Sequence, residues 1–159
     1  TTVGCLLALD HLIKQGNSFL NIADIGCGTG VLAMAAANVS QANVIATDVD
    51  EVAVETAKFN FKAYGLSAKI RLVQSRGFNN LEILKRAPFD LIFANILANP
   101  LCLLAPSIAA HTKKNASIIL SGILNRQANR VERYYNAHLF KRVLTRRIDQ
   151  WTTIIMQRK

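Results

Sequence analysis

The stretch that decides the fold is Asp24-Ile25-Gly26-Cys27-Gly28-Thr29-Gly30. It closes an apolar run of strand length and directly precedes a segment of helical period that begins at Val31. Three glycines in five residues allow the backbone to turn sharply, and they leave no side chain between the main chain and a bound ligand. The stretch therefore predicts a strand-to-helix turn that binds a ligand through the backbone at Gly26, Gly28 and Gly30.

Strands and helices are predicted to alternate on both sides of this turn. Apolar runs of strand length cover residues 19–25, 43–47, 69–74, 89–95 and 117–120. Helical periodicity covers residues 3–14, 31–39, 51–64, 101–112 and 126–137, with a shorter segment near 80–86. The runs are nearly continuous in apolar residues, which is typical of parallel strands covered by helices on both faces. We therefore predict an α/β, doubly wound, Rossmann-like sheet.

Two more strand-like runs, 139–145 and 151–157, follow the last predicted helix and are separated by a short polar connector. They predict an antiparallel hairpin, which brings the mostly parallel sheet to seven strands. Such a hairpin is unusual for a nicotinamide-binding domain. With 51% hydrophobic and 18% charged residues and no linker, we assign residues 1–159 to one domain.

Two carboxylates favour one class of cofactor. Asp48 ends the second predicted strand about 20 residues after Gly26, where a carboxylate can accept hydrogen bonds from ribose hydroxyls. Residues 28–33 also satisfy the dinucleotide pattern G-x-G-x-x-A. Asp24, however, would repel a pyrophosphate, whereas it could pair with an ammonium group or brace the turn. S-adenosylmethionine carries an ammonium and no phosphate, so we expect this cofactor rather than NAD.

Asn95 is the candidate for substrate positioning. It ends the fourth predicted strand, and ligands of open α/β sheets bind beyond the carboxyl ends of the strands. Its amide offers an acceptor and two donors, which suit an amine or the methionyl end of the cofactor. Asn99, directly before Pro100, is better explained as a turn residue.

The net charge of +9 lies in the last 49 residues. Residues 1–110 carry eight basic and eight acidic side chains, whereas residues 111–159 carry eleven basic ones against Glu132 and Asp149. This field can attract phosphates or acidic protein surfaces, or it can simply keep a solvated face soluble.

The cysteines indicate a reducing environment. Cys5, Cys27 and Cys102 form no Cys-x-x-Cys pair, which disfavours a disulfide framework or a zinc site. The longest apolar stretch, 101–110, contains Pro106 and is too short to span a bilayer, and no signal peptide opens the chain. We therefore expect a cytoplasmic protein without a metal. Because the chain begins without Met, we also expect it to be a fragment or a processed product.

These motifs resemble the PrmA-type ribosomal protein methyltransferases, a class I S-adenosylmethionine-dependent family. The segments that carry the resemblance are Thr1-Thr2, the turn 24–30, Asp48-Val49-Asp50, Asn95-Ile96-Leu97-Ala98, Ser121-Gly122-Ile123-Leu124 and Trp151. The resemblance implies methyl transfer to amino groups, on lysines or the N-terminus, of a large-subunit ribosomal protein. It implies cofactor contacts at Thr2, Gly26, Asp48 and Asn95.

Two alternatives stay open at this point. The family's N-terminal substrate-recognition domain is missing from residues 1–159, so the chain could be a cofactor-binding module that does not recruit substrate. The basic C-terminal segment would also suit an RNA methyltransferase, although Asn95 does not start the Asn-Pro-Pro-Tyr form common among methyltransferases of exocyclic amines. In either case this segment is a candidate contact for ribosomal RNA.

Overall fold

The computed structural model describes residues 1–159 and contains seven strands and six α-helices. The strands are β1 (Asn21–Ile25), β2 (Asn43–Asp48), β3 (Ile70–Gln74), β4 (Phe89–Asn95), β5 (Thr112–Leu124), β6 (Phe140–Ile148) and β7 (Trp151–Arg158). The helices are α1 (Thr2–Lys14), α2 (Val31–Val39), α3 (Glu51–Ala63), α4 (Leu81–Arg86), α5 (Ala98–His111) and α6 (Ala128–Asn136). A single 3-10 turn, Asn125–Gln127, leads into α6.

All seven strands form one sheet in the order β3-β2-β1-β4-β5-β7-β6. The first five strands are parallel, and β7 pairs antiparallel with both β5 and β6. The predicted doubly wound sheet with a C-terminal hairpin is therefore confirmed. The winding reverses between β1 and β4, which opens a crevice at their carboxyl ends.

Local sequence explains where several elements begin. The Asp50 side chain accepts a hydrogen bond from the Val52 N–H at 3.0 Å and starts α3, and Asn80 caps α4 in the same way through the Glu82 N–H. Helix α5 begins at Ala98, three residues before the predicted start. Pro100 is compatible with this first turn, because the first N–H groups of a helix have no intrahelical partner.

The sheet separates two apolar layers. One layer packs with α4, α5 and α6 and includes Ala94, whereas the other packs with α1, α2 and α3 and includes Phe93. Successive strand residues alternate between the faces, so Asn95 lies on the face covered by α1.

Strand β5 is longer than predicted, because it begins at Thr112 rather than at residue 117. The pairing with β4 slips between Thr112 and Ser117, and Asn115 has a φ of +63°. The polar residues 113–115 thus form an irregularity inside the strand. The hairpin connector is also shorter than predicted, with only Asp149 and Gln150 between β6 and β7.

All three cysteines are free. None of the helices has the length and apolar character needed to cross a membrane.

Candidate cofactor and methyl-transfer site

The glycine turn adopts a backbone conformation that other residues rarely take. Gly26, Gly28 and Gly30 have φ values of +73°, +55° and +81°. The N–H groups of Gly26 and Cys27 both donate to the Thr47 carbonyl, at 2.8 and 2.9 Å, which ties the turn to the end of β2.

The three glycines differ in what surrounds them. A Cβ at Gly30 would meet the Phe61 ring of α3, with Cζ at 2.7 Å, and one at Gly26 would meet the Ile96 side chain. A Cβ at Gly28 would meet nothing within 4 Å. Gly26 and Gly30 therefore allow close packing, whereas Gly28 lies on the open side of the turn, where a ligand can approach the backbone.

Asp48 is held in place by the turn. Its Oδ2 accepts a hydrogen bond from the Gly28 N–H at 2.8 Å, and its Oδ1 accepts one from the Asp50 N–H at 3.1 Å. A carboxylate has about four lone-pair sites, so about two remain for ligand hydroxyls. The half-buried position at the end of β2 leaves the side chain reachable from the crevice.

Asp24 lies beneath the turn and is completely buried. Its Oδ2 accepts a hydrogen bond from the Ala33 N–H of α2 at 3.0 Å, and its Oδ1 has no partner. Burial, together with the nearby Asp48, raises the pKa of this carboxyl to about 7, and the hydrogen bond from the Ala33 N–H opposes this shift. One oxygen thus braces α2, and the other is a buried acceptor that a cationic ligand group would satisfy.

A cavity of about 560 Å³ opens at the carboxyl ends of β1 to β4. Gly26 and Asp48 line it, together with Ile25, Val49, Ser75, Arg76, Gly77, Ile96, Leu97, Pro100, Leu103 and Leu104. Most of its wall is apolar, and the carboxylate stands on one side, which suits a flat ring attached to a sugar. The other predicted site residues, namely Thr2, Asp24, Gly28, Gly30 and Asn95, do not line this cavity.

Ile96 links the separate motifs, and sequence reasoning assigned it no role. Its side chain meets the position that a Cβ at Gly26 would occupy, and its backbone meets that of Gly122, whose φ is +78°. The residues 75–77 after β3 were missed as well. The rule that placed Asn95 at the carboxyl end of its strand applies equally to the end of β3 and could have found them.

Helix α1 covers the same end of the sheet. Gly4 packs directly on Thr153, whose Oγ1 lies 2.8 Å from Ser121 Oγ, and Ser121 pairs in register with Asn95. Burial raises the pKa of Cys5 to about 12, although a hydrogen bond with Ser121 opposes this shift. These contacts bring the first turn of α1, which contains Thr2, over the sheet end that carries Asn95.

The family comparison agrees with this geometry. The model of the family described as ribosomal protein L11 methyltransferase (PrmA) matches residues 1–159. The chain belongs to this family.

Two rhizobial relatives named ribosomal protein L11 methyltransferase are longer than this chain. The Bradyrhizobium diazoefficiens ribosomal protein L11 methyltransferase is 39% identical over 158 residues, which is 99% of this chain and 53% of the relative. The Mesorhizobium japonicum enzyme is 43% identical over 154 residues, 97% of this chain and 53% of the relative. The chain thus spans about half the length of these relatives.

Solved structures support the same fold. A ribosomal protein L11 methylase from Lactobacillus delbrueckii subsp. bulgaricus has a TM-score of 0.90 at 29% identity, covering 100% of this chain and 79% of that one. An RNA methyltransferase from Salinibacter ruber, in complex with S-adenosyl-L-homocysteine, has a TM-score of 0.72 at 14% identity, and the match covers 94% of this chain and 89% of that chain. The second likeness concerns the fold alone.

The histidines lie outside the site. His111 is the last residue of α5, about 20 Å along the helix from the end that follows Asn95. Its ring stacks on Phe78 with the centroids 4.5 Å apart, and its Nδ1 lies 2.7 Å from the Ser107 carbonyl oxygen. No group of three or more His, Cys, Asp and Glu side chains is placed to hold a metal ion.

Proposed function

We propose that this chain is an S-adenosylmethionine-dependent methyltransferase domain that methylates amino groups of ribosomal protein L11. The observation that carries the proposal is the Asp48 carboxylate, which lines the cavity and accepts a hydrogen bond from the Gly28 N–H, in a chain of the PrmA family. The names of the full-length relatives supply the substrate.

The residues fit the parts of this cofactor. Asp48 has acceptor sites left for the ribose hydroxyls, and the apolar wall around Leu97 and Leu104 suits the adenine ring. The open backbone at Gly28 and the unpartnered Oδ1 of Asp24 suit the methionyl end and its ammonium. When bound, S-adenosylmethionine supplies an activated methyl group on a sulfonium.

We assign Asn95 the task of orienting the target amine. A lysine with a pKa near 10.4 must lose its proton before it can accept a methyl group, and at pH 7 this costs about 4.6 kcal/mol. Desolvation in the crevice disfavours the charged ammonium and reduces that cost. Because none of the histidines lies at this end of the sheet, the Asn95 amide acts by holding the neutral amine in line with the methyl group.

Thr2 is proposed as a second cofactor contact, supported by the packing of Gly4 against Thr153 at the same end of the sheet. The basic segment 111–159 is proposed to contact ribosomal RNA rather than the amine-bearing substrate, because like charges repel. A ribosomal substrate would place the reaction in the cytoplasm.

Calorimetry with S-adenosylmethionine tests the cofactor half of this proposal. Asp48→Ala should weaken binding about 10- to 100-fold, because charge-assisted hydrogen bonds contribute about 1.5–3 kcal/mol. Asp10→Ala removes an exposed carboxylate paired with Lys14 and is the matched control. Equal affinity of Asp48→Ala and the control would refute the site.

Transfer of a radiolabelled methyl group tests the substrate half. We expect label on purified ribosomal protein L11 and none on ribosomal RNA, and a large loss of rate for Asn95→Ala at saturating S-adenosylmethionine. Label on RNA alone would favour the RNA methyltransferase, and cofactor binding without transfer to either would identify a binding module.

A further inference from the structure

A basic groove runs between α6 and β6, at the sheet edge farthest from β3. It consists of two adjoining cavities of about 480 and 460 Å³ that share Asn129, Glu132 and Arg142. Arg147 lines the first cavity, and Arg133 lines the second. We call this surface the α6–β6 groove.

Arginine dominates the groove and its surroundings. Residues 126–147 contain six arginines and one lysine, with Glu132 as the single acid, whereas residues 1–110 contain three arginines and five lysines. Glu132 pairs with Arg142 at 3.1 Å, and no other arginine of this segment lies within 4 Å of a carboxylate. The planar guanidinium binds phosphate oxygens in pairs, so unpaired arginines that line a groove suit a row of phosphates.

The strand register places these arginines on known faces. Arg142 and Arg147 pair with Met156 and Thr152, which puts both on the α6 side of the sheet. Arg146 pairs with Thr153 on the opposite side, and its Nε is buried without a partner. An alternative explanation is that charges on an edge strand do no more than prevent pairing with the edge strand of another molecule. That explanation does not account for Arg133 of α6, on the other wall of the groove.

We propose that the α6–β6 groove binds the phosphate backbone of single-stranded ribosomal RNA. Asn129 and Asn136 also line the groove and add amide groups that can bind base edges or 2′-hydroxyls. These amides favour RNA over an acidic peptide, which requires only positive charge.

One end of the groove lies at the end of the sheet that carries the candidate site, although the groove opens on the α6 face and Asn95 lies on the α1 face. Asn95, Ser121, Thr153 and Arg146 form a row across β4, β5, β7 and β6, and three strand spacings separate its ends by about 14 Å. Arg147, next to Arg146, is therefore at the same end of the sheet as Asn95. RNA in the groove would hold its bound ribosomal protein beside the site, so this inference rests on the proposed function.

Fluorescence anisotropy with a labelled 12-nucleotide single-stranded RNA tests the groove. If the three arginines that line the groove contact phosphates, the salt slope of log affinity is about −2.1, and affinity falls about 20-fold between 50 and 200 mM salt. Arg133→Gln/Arg147→Gln should reduce the magnitude of the slope by about 1.4. The control Lys58→Gln/Lys62→Gln removes the same charge from α3, at the other edge of the sheet, and should change it little.

Three outcomes would overturn the proposal. In the first, both double variants weaken RNA binding equally. In the second, polyglutamate of the same length competes with the labelled RNA as well as unlabelled RNA does. In the third, the arginine variant self-associates while its RNA binding is unchanged. The last result would assign the charges to edge protection alone. Retained S-adenosylmethionine binding shows that each variant is folded. Asp48→Ala should leave RNA binding intact, so failure of the groove and failure of the cofactor site are distinguishable.

Discussion

Replacing Asp24 with Asn changes one buried charge and little else. The Asn amide oxygen can still accept the hydrogen bond from the Ala33 N–H, so the brace on α2 is kept. The change acts on the other oxygen, which has no partner within the chain. We expect this oxygen to bind the cofactor ammonium, so the variant should bind S-adenosylmethionine about 10- to 100-fold more weakly at pH 8.

The same argument predicts a pH dependence and its sign. With a pKa of about 7, raised mainly by burial, Asp24 is ionised in the free protein to about 9% at pH 6 and about 91% at pH 8. Only the carboxylate attracts the ammonium, and apparent affinity scales with the fraction of the competent form. The ligand amine itself loses its proton near pH 8, so the affinity of the native chain relative to Asp24→Asn should rise about three- to fivefold from pH 6 to pH 8.

Calorimetry at pH 6, 7 and 8 measures this ratio. The other titratable groups near Asp24, namely Cys5, Cys27 and Asp48, are present in both proteins. At pH 7, calorimetry in buffers that differ in ionisation enthalpy should show that cofactor binding releases about half a proton. Asp10→Asn on the surface of α1 should show none of these differences from the native chain.

The outcome that would refute the reasoning is a pH-independent ratio near one. In that case Asp24 serves only to brace α2 through the Ala33 N–H, and the ammonium binds elsewhere.

Two further predictions concern the packing of the site, and urea denaturation measures both. Gly122→Ala places a Cβ against the Ile96 backbone at a φ of +78°. The control is Gly16→Ala, because Gly16 has a similar φ of +82° but no neighbouring atom within 4 Å of the added Cβ. Gly122→Ala should therefore lower the free energy of unfolding by about 1–3 kcal/mol more than the control does. Similar losses would contradict the close contact. Thr153→Val removes a buried hydroxyl 2.8 Å from Ser121 Oγ and should cost about 1–2 kcal/mol, whereas Thr56→Val, on an exposed helix face, should cost less than about 0.5 kcal/mol.

The sequence predicted most of the fold because its strong signals are local. A short continuous apolar run such as Leu91 to Ala94 is typical of a strand that is buried on both faces, and β4 is found there. Element ends were less predictable. The fifth strand was predicted to begin at residue 117, whereas β5 begins at Thr112 and includes the polar residues 113–115 as an irregularity.

The candidate site was predictable only in part. The glycine turn and Asp48 are close in space because parallel strands end at one edge of a sheet, and this rule needs only the sequence. The packing of Ile96 between Gly26 and Gly122 depends on contacts among three distant segments. No local pattern encodes such a contact, so neither the role of Ile96 nor the apolar wall at Leu104 could be derived beforehand.

The two halves of the proposed activity use different parts of the sheet. The glycine turn, Asp48 and the cavity belong to β1, β2, β3 and the loop after β4, whereas the α6–β6 groove belongs to the last 34 residues. The row from Asn95 to Arg146, which contains the hydroxyl pair Ser121–Thr153, lies on the α1 face of the sheet, whereas the groove opens on the α6 face. Substitutions in the groove should therefore alter RNA binding without altering cofactor affinity.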